Sequence, residues 1–98
     1  MKSGAENAQA ERNLPLVGTI LVFDHSPFGT LAYDGPFWAG AFGGSFPAHR
    51  FSGIAKEHFL YLGKHPWYMN CKVWSFSQQR IFFMHQLAIE GMTVVVVP

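Results

Sequence analysis

Near its C-terminus the chain runs Thr93-Val94-Val95-Val96-Val97, five residues with no polar alternation, before Pro98. A strand with one wet face alternates apolar and polar side chains. An unbroken run reads instead as a strand buried on both faces, as in a parallel sheet. Residues 78–90 just before it place Ile81, Met84, Leu87 and Ala88 on one helical face. Ser77 can cap that helix and Gly91 can close it. A helix, a glycine and a valine run together predict an α/β unit feeding a buried parallel strand. A central strand normally leads on into a loop and another helix, so a chain ending at Pro98 looks cut.

Earlier segments fit the same expectation. Val17 to Phe23 is a β-branched apolar run bounded by Pro15 and by the turn cluster Asp24-His25-Ser26-Pro27. Asp34 can cap a short helix with Pro36 in its first turn, reaching about Phe42. Residues 50–55 read as a second strand and residues 56–60 as a helical piece that Gly63 and Pro66 interrupt. The expected fold class is therefore α/β, a mostly parallel sheet flanked by helices. Residues 1–12 form a polar, flexible lead-in, and residues 13–98 form the N-terminal portion of one domain.

Composition narrows the function classes. Of 98 residues, 49% are hydrophobic, 16% aromatic and only 13% charged, against about a quarter charged in an ordinary soluble domain. So little charge points to a membrane surface, a partner, or a missing remainder of the domain. The net charge of +1 and the absence of a basic stripe argue against nucleic acid. No apolar run reaches the length of a spanning helix. Cys71 is the single cysteine, which rules out an internal disulfide framework.

His25 follows the first predicted strand, with Tyr33-Asp34-Gly35 downstream. Ligands of open α/β sheets gather beyond the carboxyl ends of strands. A histidine there can act as general base, with a carboxylate fixing its tautomer. The same residues also suit a plain turn and a helix cap.

The order of segments resembles the glycerolipid and lysophospholipid acyltransferase family. Pro15 to Ser26 is similar to that family's opening strand and histidine, and Tyr33-Asp34-Gly35 to the Asp-Gly after it. Phe51 to Leu60 resembles its second strand, His65-Pro66-Trp67-Tyr68-Met69 a helix start, and Ile89 to Pro98 the third motif, halted before its Glu-Gly. The resemblance implies acyl transfer from acyl-CoA or acyl carrier protein to a lipid or glycerolipid hydroxyl. His25 would be the base, Asp34 its orienting carboxylate, and Lys56 or Arg50 contacts for the donor's phosphates. It needs no cofactor or metal, and implies a membrane-associated protein on the cytoplasmic face. Two departures stand out. The His25-to-Asp34 spacing is wider than the family's usual one, which would fall on Thr30, and no arginine lies at Val73-Trp74-Ser75 to hold an acceptor phosphate.

The competing reading is a non-enzymatic small protein, truncated or spurious as a reading frame, that docks an aromatic surface on a membrane or a partner. Phe37, Trp38, Phe42 and Phe46 would form that surface if exposed. His49, His58, His65, His85 and Cys71 match no compact metal-ligand spacing. Gly40 to Ser45 lacks the lysine and spacing of a phosphate loop. His85 is expected on the solvated side of its helix, and Cys71 as a half-buried structural thiol.

Overall fold

The computed structural model describes residues 14–24, 29–37, 47–66 and 69–98. Among these residues, seven strands and one short helix follow in order: β1 Ile20–Phe23, β2 Thr30–Tyr33, β3 Pro47–Phe51, β4 Glu57–Lys64, β5 Asn70–Ser75, β6 Arg80–His85, α1 Gln86–Glu90 and β7 Thr93–Val96. The strands make one sheet in the order β3-β2-β6-β5-β4-β1-β7. Every pairing is antiparallel. The sheet curls into a half-barrel, not the parallel sheet flanked by helices that the valine run predicts.

The centre of the sheet is a meander whose period-2 pattern explains it. Phe59 and Tyr61 on β4, Cys71, Val73 and Ser75 on β5, and Phe82 and Met84 on β6 are buried on the inner face. Leu60, Trp74, Ile81 and Phe83 alternate with them onto the outer face and keep some exposure. The expected helix over 78–90 is thus strand over residues 80–85. Its spacing at Ile81 and Met84 suits a helix, but Ile81-Phe82-Phe83-Met84 pairs residue for residue with Cys71 to Trp74. Consecutive β-branched and aromatic residues settle better on a pleated surface than on a helix. Only residues 86–90 stay helical, and Gly91 closes them as expected. Of the helical piece expected at 56–60, residues 57–60 are strand instead, and the strand expected at 50–55 gives way to a turn at 53–56.

The β5–β6 turn is built by Ser75. Its carbonyl accepts from the Gln79 N–H at 2.8 Å and its hydroxyl from the Gln78 N–H at 3.1 Å. Ser77, expected as a helix cap, instead donates to the Glu57 carboxylate and lies 3.4 Å from the Ser75 hydroxyl.

Curling brings distant strands together. Phe51, on edge strand β3, meets Phe59 of β4 edge-on at 4.8 Å and Phe82 of β6 at 5.3 Å. Strand β4 is four places along the sheet from β3, so only a strongly curved sheet allows the contact. Each such ring pair adds about 0.5–1.5 kcal/mol beyond its burial. Leu21, Phe23, Ala32, Ile89 and Met92 complete this core.

Candidate functional site

Of the residues expected to carry acyl transfer, Asp34, Arg50 and Lys56 lie among the described residues. His25 lies outside the described residues. Asp34 follows β2, where its Oδ1 accepts from Arg80 Nη2 at 2.8 Å in an exposed ion pair. The Arg80 guanidinium also sits 4.5 Å from the Phe82 ring centroid. Arg80, expected inside a helix, therefore opens β6 and holds Asp34 at the rim of the inner face. Asp24 accepts from the Thr93 hydroxyl at 3.1 Å, tying the end of β1 to the start of β7. Arg50 is exposed on edge strand β3. Lys56 is exposed in the following turn with φ 54°, and its carbonyl lies 3.0 Å from His58 Nδ1.

Other sequence candidates take structural roles. The Cys71 side chain is fully buried and receives the Tyr61 hydroxyl at 3.9 Å. Burial pushes the Tyr61 phenol up, and Cys71 beside it adds to the shift. Burial likewise pushes the Cys71 thiol up, partly offset by the Tyr61 hydrogen bond and Lys64. A thiol held in its neutral form is a poor nucleophile. His85 ends β6 half-buried, and its Nδ1 accepts from the Leu87 N–H at 3.0 Å. It is the cap of α1 rather than a solvated helix residue. Phe37 is buried, stacked on Tyr33 at 4.1 Å, so it belongs to no exposed aromatic patch. Trp38, Phe42, Phe46 and the glycine-rich 40–45 segment lie outside the described residues. No three histidine, cysteine or acidic side chains among the described residues are grouped to hold a metal, and no described helix is long and apolar enough to cross a membrane.

What the fold leaves open is β7. Among the described strands, β3 and β7 form the two edges of the sheet. Strand β3 carries the exposed Arg50, a residue type that blunts an edge against further pairing. Strand β7 carries no charge, and Val94, Val95, Val96 and Val97 are 50, 48, 49 and 63% exposed. This corrects the expectation of a strand buried on both faces. Its pairing with β1 slips between Ile20 and Leu21, leaving Val95 as the extra residue. Such a bulge lets neighbouring side chains share a face, and Val95 and Val96 both line one groove. That groove, about 410 Å³ on the outer face, is completed by Ile20, His58 and Phe76. On the inner face a recess of about 170 Å³ is lined by Leu14, Pro15, Leu21, Ile89, Glu90, Met92 and Val94. An apolar groove therefore flanks β7 on the outer face, and a recess of mixed polarity on the inner face. The valine run itself was the signal for this site, read from sequence as core.

The chain matches no family model, no curated protein and no solved structure.

Proposed function

We propose that this protein is a non-catalytic docking module that takes up an apolar extended segment of a protein partner along β7. The observation that carries the reading is the half-exposed, uncharged valine edge with an apolar groove on its outer face. An edge strand offers backbone N–H and C=O groups as a ladder for an added strand. The hollows would take side chains of that strand, which alternate between the two faces. Apolar residues are needed on the outer side, because a polar group pressed into that groove would lose water without gaining a partner.

Acyl transfer by His25 and Asp34 is the competing proposal. Its expected parallel sheet is replaced by an antiparallel one, and the Asp34 carboxylate is bonded by Arg80. One pair of measurements separates the two. A fluorescent, lysine-flanked Thr-Val-Val-Val-Val peptide should bind saturably to the whole chain, and Val95→Lys should weaken that binding at least about tenfold. Incubation with acyl-CoA and a lysolipid should give no turnover above background. Turnover that His25→Ala abolishes would replace the docking reading with the enzymatic one.

A further inference from the structure

We infer that the inner recess beside β7 takes a basic side chain, so that the partner segment docking on this edge carries a lysine on its inward side. This rests on the docking reading above and specifies its partner.

Among the described residues, Glu90 is the only ionisable one lining the recess, and the other walls are apolar. Gln86, one helical turn earlier on α1, is 8% exposed, and its Nε2 donates to Glu90 Oε2 at 2.8 Å. A buried amide therefore fixes the half-buried carboxylate in place. Its Oε1 has no hydrogen-bond partner among the described residues, and no described basic side chain pairs with Glu90. Glu90 also ends α1, whose last turn holds no basic residue. Helix carbonyls gather at that end, so the carboxylate adds negative charge where a cation is the favoured neighbour.

Apolar walls around one carboxylate match a side chain with an apolar stem and a cationic head. A cavity of about 150 Å³ admits one benzene-sized group, so a recess of about 170 Å³ has room for one such stem. Lysine fits better than arginine. Gln86 already engages one carboxylate oxygen, and the other suits a point charge better than a two-pronged guanidinium.

The strand sets the flanking residues. Successive side chains of an added strand alternate between the two faces. Val94 lines the inner recess, whereas Val95 and Val96 line the outer groove. A lysine entering the recess therefore has apolar neighbours, before and after it, that fall on the outer groove. Residues 91–98 contain no ionisable side chain, so nothing on β7 itself repels the ammonium.

The test is fluorescence anisotropy with a labelled Thr-Val-Lys-Val-Thr peptide, and with the same peptide acetylated on the lysine, each titrated with the whole chain. Acetylation keeps the stem and removes the charge. The wild-type chain should bind the acetylated peptide at least about tenfold more weakly, the size of one charge-assisted hydrogen bond. Glu90→Gln keeps the side-chain shape and an oxygen for Gln86. That variant should bind both peptides equally, at the weaker level. Equal binding of the two peptides by wild type overturns the inference, and this comparison needs no variant. A preference for the free lysine that Glu90→Gln preserves overturns it too. A chain that binds the valine peptide but neither of these overturns the lysine site alone and leaves the docking reading standing. A chain that binds none of the three overturns both.

Discussion

Phe37 and the side chain of Asn70 hold each other through two hydrogen bonds. The Phe37 N–H donates to Asn70 Oδ1 at 2.9 Å, and Asn70 Nδ2 donates to the Phe37 carbonyl at 2.6 Å. Both residues are buried, so the amide serves as a piece of sheet ladder for a segment outside the sheet. Asn70→Ala would strand a buried donor and a buried acceptor. The expected cost is about 2–6 kcal/mol, since each of the two orphaned groups costs about 1–3 kcal/mol. Urea unfolding of the variant against wild type checks this, and Asn70→Asp should be no better. It keeps the acceptor but loses the donor and buries a charge. A loss below about 0.5 kcal/mol, the size of an ordinary surface substitution, would show that the clamp does not hold the Phe37 segment.

Gly29 controls how the chain enters β2. Its φ is +87°, and a Cβ there would overlap the Phe51 carbonyl oxygen. Gly29→Ala should therefore cost more than left-handed strain alone, which is about 1–2 kcal/mol. Gly63, with φ +121°, would meet only Val17 Cγ2 at 3.4 Å, an ordinary contact. Gly63→Ala should accordingly cost the backbone strain without the clash. Denaturation midpoints of the two variants check the ordering. Equal losses would mean that the Phe51 carbonyl moves aside freely.

The Tyr61–Cys71 pair predicts alkaline instability. Both groups have folded-state values raised chiefly by burial. The unfolded chain therefore gives up these protons first, and unfolding is favoured as pH rises. The contribution is intact below the unfolded thiol's value of about 8.5 and falls away above it, with the phenol joining near 10. Each group adds a slope of up to about 1.4 kcal/mol per pH unit. Urea midpoints should thus drop between pH 8 and pH 10.5, a window these two values set. Cys71→Ala should lower stability at neutral pH, because it empties core space, yet flatten the dependence between pH 8.5 and 10. A dependence as steep as wild type in that variant would assign the effect elsewhere.

Much of this fold could be read locally and was then assembled differently in space. The first and last strands are evident from β-branched runs at Ile20–Phe23 and Thr93–Val96, and the Gly91 stop is evident from its position after Glu90. Helix and strand were confused at 81–85, where Ile81 and Met84 fit one period and Phe82 and Met84 fit the other. Asp34 was legible as a polar residue at a turn. Its partner was not, because Arg80 lies 46 positions away and nothing local announces the pairing.

By itself the sequence determined that this chain makes apolar strands with little charge to cover them. That follows from side-chain volume, branching and polarity, which act residue by residue. Strand direction, and which strand stands at an edge, were decided only by the tertiary structure. A valine run looks the same whether its neighbours bury it on both sides or on one. Here β1 takes one flank of β7 and no described strand takes the other. The inner core closes through Phe51, Phe59 and Phe82 from three separate strands, and the run that reads as most buried is left facing solvent.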